Sequence, residues 1–202
     1  MSKPPIFESI FGVPWANLPP VMQKHYAVRP DSNDRVVVRG TMNVKRNCLM
    51  RLMSPLLKLF GALVPYDGEG IPVTVAFYSG PNSSDFHFDR TFQFPAKTFR
   101  FHSRLIPIAG GDVIEVMRSG MGWRSRYQIE DGHISLSPIG YYWRIGNWNV
   151  PLPITWMIGV CTASEDVLTD NGFKMQMTIT HPIFGETYRY EGTFEIDEVT
   201  SA

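Results

Sequence analysis

A chain of 202 residues, 44% hydrophobic and 13% aromatic with only 19% charged, carries enough apolar side chain to bury one sizeable core and lacks the composition of a disordered segment. Nineteen basic residues are balanced by nineteen acidic ones, which excludes the global positive field that gathers nucleic acid, so no nucleic-acid partner is expected. The two cysteines, Cys48 and Cys161, have no Cys-x-x-Cys spacing and exclude both a disulfide framework and a zinc ribbon.

No linker divides the chain, and 1–202 reads as a single domain with an N-terminal wrapping segment (1–34) and a β-rich core (35–199). The start, Met1 to Phe7, carries Pro4 and Pro5 and lacks the apolar run of a secretory signal. No stretch has the roughly eighteen uninterrupted apolar residues of a membrane-spanning helix. A cytoplasmic location is expected.

The wrapping segment has one helical piece, Leu18 to Ala27, with Pro19 and Pro20 in its first turn. A β-branched strand follows from Arg35 to about Val44, after the turn residues Asp31 to Asp34. The one long helical pattern starts at Asn47 as N-cap and runs to about Leu63. Its broad apolar arc and the cations Lys45, Arg46, Arg51 and Lys58 give two readings, a core helix packed on a sheet or a lid making peripheral membrane contact through 47–63. Pro55 invites a kink.

From Ile71 onward the chain reads as short strands separated by Gly, Pro, Asn and Asp. They are Ile71 to Ser79, Phe86 to Phe94, Phe99 to Ile108, Val113 to Met117, Trp123 to Ile129, His133 to Ser137, Tyr141 to Asn147, Thr155 to Thr162, Phe173 to Thr180 and Thr187 to Ile196. A series of hairpins this long must hide its edges, so the expected fold is mainly β: an antiparallel meander closing into a barrel or strongly curled sheet around or beside one amphipathic helix. The absence of βαβ alternation and of a Gly-rich strand-to-helix turn leaves a nucleotide-binding parallel sheet without support.

Polar residues on apolar faces point to a site. Phe86, Phe88, Arg90, Phe92 and Phe94 share one face of a strand, and Phe99, Phe101, Ser103 and Leu105 share one face of the next. A four-residue turn at Pro95–Thr98 would pair Phe94 with Phe99 and set Arg90 opposite Ser103; on the outer face it would set Asp89 opposite Arg104 and Thr91 opposite His102. An inward guanidinium calls for an acidic partner, buried water or a bound anionic group, and Glu115, alternating with Val113 and Met117, and Glu165 are the candidate carboxylates. Whichever of them is left without Arg90 becomes a candidate general acid or base, with His25 the histidine to add to the pair. His87 and His102 lack a third ligand, so no metal site and no cofactor is assigned.

The last hairpin alternates cleanly: Phe173, Met175, Met177 and Ile179 face Phe194, Gly192, Tyr190 and Tyr188. Met175, Met177 and Tyr190 thereby join Phe88, Phe92, Phe101, Arg90 and Ser103 as candidate ligand-binding residues.

Several short motifs resemble a known family in their order. They are Leu18-Pro19 followed by His25, Arg90-Thr-Phe92 with Phe101-His-Ser103, Val113-Ile-Glu115, Pro151-Leu-Pro153, Glu165, and Pro182-Ile-Phe-Gly185 with Tyr190-Glu-Gly192. Together they are similar to the bacterial family called domain of unknown function 4166 over nearly the whole chain. The sequence departs from that pattern at His87-Phe-Asp89, where a tryptophan often precedes the arginine, and in the aromatic Tyr141 to Trp148 segment. The resemblance implies a fold and boundaries and no activity.

Two functions fit these residues. The first is a small-molecule binding protein that holds an apolar or lipid-like ligand, with or without an anionic group, in a β-sheet cavity with Arg90 as anchor. The second is a cofactor-independent cyclase or isomerase in which Glu115, Glu165 or His25 moves a proton.

Overall fold

The computed structural model describes residues 3–108 and 110–201. Its strands are β1 (Arg35–Arg46), β2 (Gly68–Tyr78), β3 (Phe86–Phe94), β4 (Lys97–Ile108), β5 (Asp112–Met117), β6 (Met121–Glu130), β7 (His133–Ile145), β8 (Trp148–Leu152), β9 (Val160–Val167), β10 (Gly172–His181) and β11 (Gly185–Thr200). The helices are α1 (Glu8–Phe11), α2 (Pro20–His25), α3 (Cys48–Leu52), α4 (Ser54–Phe60) and α5 (Thr155–Ile158).

Ten strands form a closed antiparallel barrel in the order β6-β5-β4-β3-β2-β1-β11-β10-β9-β7, with the β6–β7 pairing completing the ring. Closure leaves no unpaired edge among these ten, which is how a meander of amphipathic strands satisfies its backbone groups. The strand β8 pairs with the end of β7 as an overhanging hairpin. Alternation sets the two faces: Val36, Val38, Met42 and Val44 of β1 are buried, while Arg35, Arg39, Thr41 and Lys45 are exposed. An apolar interior with a charged exterior is the reverse of a barrel that spans a bilayer through its strands. Among the described residues, no helix is long and apolar enough to cross a membrane.

The N-terminal segment plugs one mouth of the barrel rather than wrapping around it. Phe7 is fully buried there and meets the rings of Tyr26, Phe86 and Tyr127 at 4.7, 5.0 and 5.4 Å. This lower mouth is also covered by α2. The helical pattern expected over 47–63 covers the opposite, upper mouth as two short helices. Asn47 is the N-cap, its side chain accepting from the Met50 N–H at 3.0 Å. The helix then breaks at Met53, Pro55 restarts it within the first turn of α4, and Gly61 ends it in the left-handed region at φ 60°. Met50 and Leu57 are buried, whereas Leu52, Leu56 and Leu59 are exposed, so the pair is a lid and not a core helix.

Other expectations need correction. The stretch expected as a strand from Thr155 opens as the single turn α5 across the upper mouth, because Gly159 at φ 103° turns the chain before β9 starts. The two strands expected over 133–147 are one strand, β7, with an irregularity facing Arg124/Ser125. The connection between β3 and β4 is two residues, not four, so Phe94 pairs with Lys97. Arg90 therefore lies opposite Phe101, Ser103 opposite Phe88, Asp89 opposite His102 and Thr91 opposite Arg100. Arg104 bonds Asp85 at 2.8 Å rather than Asp89.

The β10–β11 register is as the sequence reads, with Phe173, Met175, Met177 and Ile179 opposite Phe194, Gly192, Tyr190 and Tyr188. Gly192 also faces Met42 on β1, where a Cβ would stand 2.3 Å from the Thr41 carbonyl oxygen, so the seam between the first and last strands closes only around glycine.

Candidate functional site

The interior is crossed by a polar girdle. Arg90, 3% exposed, points inward from β3 because inward positions alternate along that strand. Its Nη2 donates to Ser103 Oγ at 2.5 Å and to Glu115 Oε1 at 2.8 Å. Ser103 Oγ in turn donates to the same Glu115 oxygen at 2.6 Å, and Trp123 Nε1 donates to Glu115 Oε2 at 2.7 Å. The guanidinium carbon lies 3.8 Å from the centre of the Phe88 ring and 4.0 Å from that of Phe101, so two π-faces sandwich the cation. Tyr190 lies beside Nη1 at 3.5 Å, and Nε has no partner among the described residues.

Burial alone would push the Glu115 carboxyl up, but the Arg90 charge and the bonds from Ser103 and Trp123 outweigh it and hold the carboxyl below its ordinary range. Glu115 is therefore an ionised structural anion with every oxygen occupied. The β5–β6 pairing that delivers Trp123 opposite Glu115 needs Gly122, where a Cβ would stand 2.3 Å from the Glu115 carbonyl oxygen.

A second cluster lies toward the lower mouth. Glu165 projects inward from β9, and its Oε2 accepts from the Tyr26 hydroxyl at 2.8 Å. His25 Nε2 approaches Oε1 at 3.8 Å, and His25 Nδ1 has no partner among the described residues. Burial is the main cause that pushes Glu165 up to about 7, with the Tyr26 bond opposing and Asp166 adding. Burial lowers His25 to about 3. The imidazole is thus neutral near pH 7, and its contact with Glu165 is not an ion pair.

The two clusters flank cavities that share the girdle as a wall. The upper one, about 50 Å³, is lined by Phe101, Met117, Met121, Cys161 and Met177 under Leu57 and Leu63. The lower one, about 30 Å³, is lined by Phe88, Met175, Met177, Tyr127 and Glu165 over His25 and Tyr26. Glu115, Trp123 and Tyr190 border both. Since a water needs about 10–15 Å³, these spaces accept a few waters as they stand.

Of the residues selected from sequence, Arg90, Ser103 and Glu115 meet in the girdle, and His25 meets Glu165 below it. Phe88, Phe101, Met175, Met177 and Tyr190 line the cavities. Phe92 does not: it packs on Phe94 and Phe99 at ring distances of 6.2 and 6.4 Å. Sequence reasoning missed Trp123 and Tyr26. Trp123 was accessible from the short turn after Met117, which pairs it with Glu115, whereas nothing local links Tyr26 to Glu165. Cys161 is buried, and burial raises its thiol well above the ordinary value, which disfavours the thiolate. Among the described residues no three His, Cys, Asp or Glu side chains gather as metal ligands. His87 and His102 instead stack at 5.6 Å.

The structure therefore defines a closed β-barrel whose apolar interior carries two buried carboxyl groups, one held below its ordinary range by Arg90 and one pushed by burial up to about 7. The chain belongs to the family described as Domain of unknown function (DUF4166), which matches residues 18–194. No curated protein matches it. Similar solved structures include a protein of unknown function from the DUF3598 family of Nostoc punctiforme (9% identity, TM-score 0.43), covering 80% of this chain, which spans 46% of that one. Another is Rv2717c from M. tuberculosis (11% identity, TM-score 0.45), covering 90% of this chain and 100% of its own.

Proposed function

We propose that the barrel binds an apolar, lipid-like small molecule in its interior. The observation that carries this reading is the interior itself: aromatic and methionine walls on both sides of a girdle in which Arg90 is paired with Glu115 through Nη2. Met177 borders both cavities, Met117 and Met121 line the upper one and Met175 the lower, and these unbranched side chains change rotamer readily, so a ligand would gain room by displacing them. Access for a molecule larger than water requires Leu57 and Leu63 of the lid region to move. Arg90 Nε and His25 Nδ1, both buried and unpartnered among the described residues, supply polar contacts for an anionic or carbonyl group.

The test is a titration of the purified protein with N-phenyl-1-naphthylamine. Saturable binding at one equivalent, weakened by Met177→Trp in a variant that keeps its melting temperature, supports the reading. Unsaturable or unaffected fluorescence overturns it.

One observation favours a second reading, a cofactor-independent proton-transfer enzyme such as an isomerase or cyclase. Glu165 has no cation within reach, sits near neutrality in its titration and faces the cavity beside Tyr26. Those are the properties of a general acid or base. Glu115, locked by Arg90, lacks them, so the catalytic candidates reduce to Glu165 with His25. Conversion of an isomerisable polyene or ketone by wild type and not by Glu165→Gln would favour this reading over simple carriage.

A further inference from the structure

We propose that the upper end of the barrel docks on an anionic lipid bilayer, with a basic groove at its rim receiving a lipid headgroup. Four separate segments converge there, and each exposes large apolar side chains. They are Leu52 (79% exposed) and Leu59 (72%) on α3 and α4, Ile145 and Trp148 (79%) on the β7–β8 hairpin, Trp156 (73%) on α5, and Ile183 with Phe184 on the β10–β11 turn. Exposed tryptophans among aliphatic side chains on several loops of one end are the pattern of an interfacial surface, where the indole sits at headgroup level. The lid helices are too short to act alone, so the surface is the whole end of the barrel and extends beyond residues 47–63.

Charge complementarity selects the occupant. The segments forming this end carry Lys45, Arg46, Arg51, Lys58, Lys97, Arg118, Arg144 and Arg189 against Asp67, Glu69, Glu186 and Glu191. Eight cations against four anions leave a local surplus of positive charge at this end of a chain whose formal total is zero. A second copy presenting the same face would bring these cations together, whereas a leaflet rich in phosphatidylserine neutralises them.

The groove adds an independent feature. It lies outside β4 and β5, beneath the overhanging β7–β8 hairpin, has a volume of about 290 Å³, and is lined by His102, Arg104, Arg118 and Arg144 with Gly120 and Gly146. Arg104 is paired with Asp85, but Arg118 and Arg144 form no ion pair among the described residues. Two guanidinium groups without carboxylates at the margin of an apolar end suit a phosphodiester headgroup.

Flotation with vesicles tests this directly. Wild type should float with phosphatidylcholine–phosphatidylserine vesicles, release at high salt, and show a blue shift of tryptophan emission on binding. Phosphatidylcholine alone should retain little. Each of Arg118→Gln and Arg144→Gln should weaken the binding about fivefold. Trp148→Ala with Trp156→Ala should abolish it at unchanged melting temperature. Failure to float, equal binding to neutral vesicles, or indifference to these substitutions overturns the proposal. So does a dimer in sedimentation equilibrium that Leu59→Asp converts to monomer, since a second copy would then cover the surface. The interior plays no part in these readouts, so they are separate from the ligand question.

Discussion

The hydroxyl of Tyr26 donates at 2.8 Å to the carboxylate of Glu165, joining the plug at the lower mouth to the barrel wall across 139 residues of sequence. The acid that stays near neutrality in its titration is thus held by an element that closes the chamber, while the acid that is fully charged is held by Arg90 at its centre. The two carboxyl groups share one apolar interior and differ only in their partners.

This pairing shapes the pH dependence of stability. Glu165 is raised from 4.5 to about 7 in the fold, so its contribution is present below 4.5 and lost as pH rises through 7. His25 is lowered from 6.5 to about 3, so its contribution is present above 6.5 and lost as pH falls through 3. Between 4.5 and 6.5 the unfolded chain protonates the histidine and the folded chain protonates the acid, so the two slopes cancel. Glu165→Gln removes one side of the balance. Its stability, relative to wild type, should climb with pH across that window by about 1.4 kcal/mol per pH unit. Urea denaturation at a series of pH values reads the slope, and parallel curves for the two proteins would contradict the account.

Arg90→Met leaves the Glu115 charge buried with only Ser103 and Trp123 for partners. A loss of about 3–5 kcal/mol is expected, as for other broken buried pairs. Arg90→Met combined with Glu115→Gln removes the orphaned charge and should regain part of that loss. A double-mutant cycle by chemical denaturation measures the coupling, and additive effects would deny the pair its structural role.

In the lid helix α4 Leu57 is buried, and Leu59, two positions on, is exposed. Leu57→Ala should cost about 2–5 kcal/mol and speed the uptake of an apolar fluorophore, because Leu57 both fills the core and roofs the upper cavity. Leu59→Ala should stay within about 0.5 kcal/mol of wild type. Stopped-flow uptake together with melting curves separates the two variants.

Gly192→Ala should destabilise by about 1–3 kcal/mol, because its Cβ would stand 2.3 Å from a backbone oxygen that a rotamer change cannot move. Thermal melting checks this, and a neutral effect would mean that the β1–β11 seam yields readily.

Particular residues explain what was legible in the sequence. The β10–β11 hairpin could be read in register because Phe173 to Ile179 alternate without interruption and His181 to Glu186 mark the turn. The β3–β4 turn is two residues shorter than the sequence predicts, yet Arg90 and Ser103 still meet. A slip of two preserves the face, and an arginine side chain spans the resulting diagonal. The same period of two placed Glu115 inward. The Tyr26–Glu165 bond was not legible, because it depends on how a plug outside the sheet seats in a closed barrel. Thr155, Trp156 and Ile158 favour strands yet lie in a helical turn before Gly159, so local propensity misleads there. The lid resolved into two helices because Pro55 removes a donor from the backbone ladder.

The most direct test of the central claim, that the barrel interior holds an apolar small molecule, is native mass spectrometry of the freshly purified protein, followed by solvent extraction of whatever it carries. The account predicts a protein that takes up one equivalent of an apolar molecule, either retained from the cell or bound from an offered lipid mixture, and releases it when Leu57 is replaced by Ala. An unliganded mass that persists after exposure to that mixture would contradict it.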